Sequence, residues 1–229
     1  IVADTMVNCF ILMLAKYIDQ DEVVQRQEQH IKEIESEILR VKYQQLRAQV
    51  NPHFLFNSLN ILISLINSNP HKATEFTKQL AAIYRYLLSN DKQDVVSFSD
   101  ELKFVRQYAK ILNIRYGDGI KINIPDITDP AVLGMRIVPT AVQILIENAV
   151  KHNIISVSSP LIINVMIDDN CVVVSNNLAP RPIPADSTGI GLKGLKEKYK
   201  IIVNREIKIS GNDGVFCVSI PLISRHEIA

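Results

Sequence analysis

His53 is the residue of this chain best suited to act as a nucleophile. It follows Asn51-Pro52 and opens a run in which His53, Asn57, Asn60, Ser64 and Asn67 recur at steps of 4, 3, 4 and 3. On a helix these five share one face. Leu55, Leu59, Leu62 and Ile66 recur at the same steps on another face. The expectation is a histidine on a wet polar stripe, with an apolar stripe turned to a core. A neutral imidazole in water, with a pKa near ~6.5, is a competent nucleophile at cell pH. The spacing alone also fits a surface histidine at a helix start.

Two later stretches carry groups suited to phosphates. Pro139 to His152 predicts an apolar-rich helix that contains Glu147 and Asn148, with Lys151 and His152 one turn on. A cation at that place, such as Lys151, could meet phosphate oxygens. Ser187-Thr188-Gly189-Ile190-Gly191-Leu192-Lys193-Gly194 is the second stretch. Small residues ahead of a helix let backbone N–H groups approach phosphate closely. Gly189, Gly191 and Gly194 also satisfy a dinucleotide pattern, but that pattern needs a strand immediately before it. Here the proline-rich Ala179 to Pro184 stands in that place, and 35 residues after Gly194 are too few for a doubly wound sheet.

Other elements must position these groups. Ile1 to Ile18 is apolar except for Asp4, Thr5, Asn8 and Lys16, just short of the ~20 residues a spanning helix needs. It reads as the end of a transmembrane helix, with Lys16 at a cytoplasmic boundary; an amphipathic packed helix is the alternative. From Val24, the positions Val24, Gln27, Ile31, Ile34, Ile38, Val41, Gln45 and Ala48 step by 3 and 4 with charged flanks. That heptad pattern predicts a parallel coiled coil and a homodimer. It runs into Pro52, where the helix should bend. A second helix, expected over 72–89, carries Phe76, Leu80, Ile83, Tyr84, Leu87 and Leu88, and pairs with the His53 helix as a hairpin. Two hairpins would make a four-helix bundle. Phe76, Tyr84 and Tyr86 are expected in core or interface. Ser99 is the expected cap of a third helix that ends near Arg115-Tyr116-Gly117. After Gly119 the texture is mixed: strands over 120–124, 161–167 and 171–174, a helix over 138–150, a short helix over 192–200, and a hairpin of 207–209 with 215–220.

Composition sets limits on function. The chain has 229 residues, 47% hydrophobic and 21% charged, with net charge +1. Bulk charge gives no footprint for direct nucleic-acid binding. Cys9, Cys171 and Cys217 are far apart and form no CxxC or Cys/His cluster. Neither a disulfide framework nor a zinc site is expected.

Asn51-Pro52-His53-Phe54-Leu55-Phe56-Asn57-Ser58-Leu59-Asn60 resembles the histidine box of LytS-type sensor histidine kinases. The resemblance implies that His53 accepts phosphate from ATP. Asn57 matches the polar position that in related kinases helps dephosphorylate the partner. Pro139 to His152 resembles the N box of GHKL-type ATPases, which makes Asn148 the Mg²⁺ ligand, with Glu147 ordering the metal's waters. Ser187 to Leu195 resembles the G box; Thr188, Gly189, Gly191 and Leu192 would close over the triphosphate. The superfamily usually ends the strand before its lid in an aspartate followed by glycines. Here Ser175-Asn176-Asn177-Leu178 stands there, so Asn176 or Asn177 would have to receive adenine.

The implied fold is α+β: a coiled coil and helical-hairpin dimerisation bundle, then an α/β sandwich of GHKL ATPase type. The expected boundaries are 1–18 for the end of a membrane helix, 19–50 for a signalling coil, 51–90 for the phosphotransfer hairpin, 91–118 for a linker helix and 119–229 for the ATP-binding domain. The implied activity is ATP-dependent autophosphorylation of His53, with Mg²⁺, followed by transfer to a response regulator aspartate. The family's usual regulator is of LytTR type. The chain would sit at the cell membrane with its catalytic region cytoplasmic. The alternative is a degenerate or phosphatase-biased module that dimerises and docks a regulator.

Overall fold

The computed structural model describes residues 52–90, 93–181, 190–212 and 214–224. The membrane-helix expectation at 1–18, the coil at 19–50, and Asn51, Thr188 and Gly189 lie outside the described residues. Among the described residues no helix is long and apolar enough to cross a membrane. The chain divides into two units, Ile1–His53 and Phe54–Ala229, and nearly all the described residues belong to the second.

Helix α1 spans Pro52–Ser68, with Pro52 and His53 in its first turn, and α2 spans Pro70–Ser89. Only Asn69 separates them; its side chain accepts the Lys72 N–H at 3.0 Å and Pro70 pre-sets the first turn. The chain doubles back there, because Phe54 lies beside Tyr84, with ring centroids 6.3 Å apart. The hairpin is therefore as expected, but the inward stripe of α1 is different. Phe54, Ile61, Leu62 and Leu65 pack on the core, and Ser58 is buried. Leu59 and Ile66, expected inside, are exposed. The polar positions Asn60, Ser64 and Asn67 are exposed as expected, and Asn57 is half-buried. On α2, Phe76, Leu80 and Ile83 are buried, Tyr84, Tyr86 and Leu87 are half-buried, and Leu88 faces solvent.

Helix α3, Phe98–Tyr116, is the spine of the unit. Its cap is Ser97, not Ser99: the Ser97 hydroxyl accepts the Asp100 N–H at 3.1 Å. The helix begins earlier because Phe98 is wholly buried and is drawn into the core. Ser97 also belongs to a two-residue strand β1, Val96–Ser97, which pairs with β3, Arg136–Ile137. Strands this short leave no periodicity in the sequence. On α3, Leu102, Phe104, Val105, Tyr108, Ile111 and Leu112 are buried. Phe104 stacks on Tyr86 of α2, with centroids 4.2 Å apart and planes 12° apart.

A mixed sheet follows. Its strands are β2 Ile120–Asn123, β4 Leu161–Asp168, β5 Cys171–Asn177, β6 Lys208–Asn212 and β7 Val215–Pro221. Their order is β2-β4-β5-β7-β6, with only β2 and β4 parallel. A short helix α4, Pro130–Leu133, lies between β2 and β3. Helix α5 is Ala141–His152 and α6 is Ile190–Val203. Along β4, Leu161, Ile163 and Val165 are buried while Ile162 and Met166 are exposed. One face of the sheet thus packs on the core and the other is open. Asp169 and Asn170 link β4 to β5 with φ of 44° and 60°, the left-handed pair that a tight hairpin turn requires. The fold is α+β, as read from the sequence.

Candidate active site

Helix α5 carries most of the site residues expected from the second half. It packs through Ala141, Val142, Leu145, Ile146 and Ala149, all buried. Glu147, Asn148 and Lys151 are half-buried and His152 is exposed. Lys151 and His152 also lie in the last turn, where a cation suits the helix dipole.

The start of α5 is built in an unusual way. Thr140, its capping residue, has φ 63°, a left-handed value that a β-branched residue rarely adopts, and its side chain caps nothing. The acceptor comes from α3 instead. Glu101, fully buried, takes the Thr140 N–H on Oε2 at 3.0 Å and the Val142 N–H on Oε1 at 3.1 Å. Tyr86 of α2 donates its hydroxyl to Oε2 at 2.6 Å. Burial pushes the Glu101 carboxyl up to about 7, against the pull of the Tyr86 bond and the two amides. Burial, then the Glu101 charge, push the Tyr86 hydroxyl well above its usual range, so it stays protonated and donates.

The far end of α5 is fixed to the chain leaving β5. Asn153 is buried; its Nδ2 donates to the Ala149 carbonyl at 2.8 Å and its Oδ1 accepts the Ala179 N–H at 2.7 Å. The Ile154 N–H bonds the Ala179 carbonyl at 2.7 Å. Arg181 returns two donors, Nε to the Asn153 carbonyl at 2.9 Å and an Nη to the Val150 carbonyl at 3.3 Å. Ala179 to Arg181, in the chain that leaves β5, are thereby clamped to the end of α5.

Between these elements lies a cavity of about 300 Å³. Asn148, His152 and Asn153 line it from α5 and its C-cap, Asn176 and Leu178 from the end of β5, and Leu192 from α6. Ala149 and Phe216 add apolar wall. Four of the expected residues, Asn148, His152, Asn176 and Leu192, thus converge from three separate stretches of sequence. Glu147 and Lys151 share the helix with Asn148 without lining the cavity. Gly191 stands in the first turn of α6, where an added Cβ would meet Ile144 of α5 at 3.5 Å.

The two asparagines after Ser175 differ. Asn177 gives its amide to the chain entering β4: Oδ1 accepts the Ile162 N–H at 2.8 Å and Nδ2 donates to the Pro160 carbonyl at 3.1 Å. Asn176 is buried, and its Nδ2 donates to the Asn177 carbonyl at 2.7 Å. Among the described residues its Oδ1 carries no bond, so an acceptor for an amino group remains at the cavity. Asn153, Leu178, Phe216 and Glu101 escaped the sequence reading. Asn153 stands directly after the His152 that closes the N-box pattern, the one local signal that could have found it.

The cavity suits the base of a nucleotide: it is mostly apolar, with a few polar groups placed around it. Asn148 supplies an oxygen for a hard cation. Among the described residues no group of three or more His, Cys, Asp or Glu is placed to hold a metal by itself. A cation here would depend on phosphate oxygens and water as well as Asn148.

Residues 41–120 match the family model described as histidine kinase. This likeness to histidine kinases covers 80 of the 229 residues. The chain is 36% identical, over 121 residues or 52% of its length, to the Sensor protein LytS of Staphylococcus saprophyticus. The figures are the same for the Sensor histidine kinase/phosphatase LytS of Staphylococcus aureus strain MRSA252. The match covers 20% of each relative, so it spans about a fifth of their length. Among solved structures, the histidine kinase domain from Erythrobacter litoralis EL346 blue-light activated histidine kinase is 18% identical and aligns with 72% of this chain and 87% of that one, at a TM-score of 0.40.

Proposed function

We propose that this chain is the phosphotransfer and catalytic part of a sensor histidine kinase, which phosphorylates itself on His53 from ATP and passes the group to an aspartate of a response regulator. The observation that carries the reading is the cavity that gathers Asn148, His152, Asn176 and Leu192 in a chain whose residues 41–120 match the histidine kinase family.

In this reading, a ring nitrogen of His53 forms a bond to the γ-phosphorus as the bond from that phosphorus to the ADP oxygen breaks. ADP leaves with the electron pair, and the imidazole's other nitrogen carries the remaining proton. When bound, Mg²⁺ spreads the negative charge of the phosphates. Asn148 would hold it, with Glu147 ordering its waters. Asn176 offers its Oδ1 to the adenine amino group, whereas Asn177 is committed to the Ile162 and Pro160 backbone. Thr188, Gly189 and Gly191 would surround the phosphates, with Lys151 as a nearby cation and the His152 ring beside it.

The organisation proposed is a membrane helix ending near 18, a coil over 19–50, a dimerising hairpin over 51–90, a linker helix over 91–118 and an ATP-binding domain from 119. The partners proposed are a second copy and a response regulator. The hairpin supports the first: Phe56, Leu59, Ile63 and Ile66 are exposed and recur at steps of 3, 4 and 3, a second apolar stripe on α1. A matching stripe on another copy would cover it in a four-helix bundle.

A phosphatase-biased sensor is the second reading. Asn57, half-buried one turn after His53, favours it, as does the kinase/phosphatase relative. Incubation with γ-labelled Mg-ATP separates the two. Label on His53 supports the kinase; bound nucleotide without label supports the phosphatase.

A further inference from the structure

Glu101 lies outside every motif that the kinase reading uses, yet three elements meet on its carboxylate. Tyr86 comes from the second hairpin helix, Glu101 from the linker helix, and Thr140 and Val142 from the start of the helix that bears Asn148. A buried acid with three donors is thus a polar link between the hairpin and the helix that bears Asn148. Apolar packing lies beside it, including the Phe104 ring stacked on Tyr86. Apolar surfaces slide at little cost, whereas a short hydrogen bond to a buried carboxyl has one geometry.

We propose that Glu101 is a positioning residue of the kinase, holding the start of the Asn148 helix in fixed register with the hairpin helix that bears Tyr86. The inference rests on the kinase reading. Thr140 explains why the device is needed. Its left-handed backbone leaves α5 without a cap of its own, so the helix start is set by whatever Glu101 is bonded to. A shift of α2 would pull on the Tyr86 hydroxyl and, through Glu101, on the two amides. The helix that bears Asn148 would move with it.

Tyr86→Phe isolates the link. It keeps the ring on Phe104, leaves both amide bonds to Glu101, and deletes only the hydroxyl. The experiment measures the autophosphorylation rate at saturating Mg-ATP, the KM for ATP, the Kd for a non-hydrolysable ATP analogue and the thermal midpoint. It uses the full chain, its Tyr86→Phe and Glu101→Gln variants, and His53→Ala as the blank. The expected result is a rate about tenfold lower in Tyr86→Phe with KM and Kd within about twofold. Glu101→Gln should lower the rate further, because its amide nitrogen must face one of the two backbone N–H groups. A rate loss matched by an equal weakening of Kd and a fallen midpoint would make Glu101 a stability element only and overturn the inference. An unchanged rate in Tyr86→Phe would overturn it as well. No label on the unsubstituted chain would sink the kinase reading itself, and this inference with it.

Discussion

Asn153 Oδ1 accepts the Ala179 N–H at 2.7 Å, joining the end of the Asn148 helix to the chain that leaves the central strand. The same side chain donates to Ala149 within the helix, so one buried amide closes the helix and anchors the next segment. Both walls of the cavity depend on it.

Asn153→Ala should therefore act on both stability and binding. One buried and one partly buried hydrogen bond are lost, and the Ala179 amide is left without its acceptor. A loss of ~1–3 kcal/mol in unfolding free energy is expected, with weaker binding of an ATP analogue. Urea unfolding and calorimetric titration measure the two effects. Full retention of analogue affinity would separate the clamp from the nucleotide site.

Asn176 and Asn177 should part company. Asn176→Ala removes the uncommitted acceptor in the cavity and should weaken ATP about tenfold while reducing its margin over GTP. Asn177→Ala should cost stability through the Ile162 and Pro160 bonds and leave the ATP-to-GTP ratio unchanged. Competition binding with both nucleotides distinguishes them. The opposite pattern would move the adenine contact to Asn177.

Glu101 gives the fold a pH dependence. Its carboxyl stands at about 7 in the folded chain against 4.5 as the reference. Between those values the folded chain keeps a proton that the unfolded chain has released. Stability should therefore fall as pH rises from 4.5 to 7, on the order of 1 kcal/mol per pH unit at most, and level off above. The neighbouring Tyr86 and Tyr199 hydroxyls do not titrate there, since burial raises both. Urea unfolding at several pH values checks the slope, which Glu101→Gln should remove. A stability that rises over this window would contradict the assignment.

Much of this arrangement was legible in the sequence, because local chemistry set it. The Asp169-Asn170 turn, the break at Asn69-Pro70 and the alternation along β4 all follow from neighbouring residues. Three of the residues that line the cavity, Asn148, His152 and Leu192, stand in contiguous motifs; Asn176 stands where the pattern departs from an aspartate, and the sequence alone does not part it from Asn177. What was missed depends on distant partners. Glu101 meets Thr140 and Val142 from 39 and 41 residues away, and Asn153 meets Ala179 from 26. Nothing near Glu101 distinguishes it from an ordinary acid in the first turn of a helix. The cap at Ser97 was misplaced by two residues for a similar reason: Phe98 is pulled into a core that the local pattern does not reveal.

The exposed stripe on α1 predicts self-association. Ile63→Asp would put a charge at its centre and should shift the chain toward monomer in sedimentation equilibrium. Ser64→Asp, on the polar face, should leave the mass unchanged. Equal masses for Ile63→Asp and the unsubstituted chain would remove this face from the dimer.

The central claim is that His53 takes phosphate from ATP. Its most direct test is incubation of the chain and its His53→Ala variant with γ-labelled Mg-ATP. The predicted result is label that is stable in base, labile in acid, and absent from the variant. Label of equal amount on the variant, or none on a chain that demonstrably binds ATP, would contradict it.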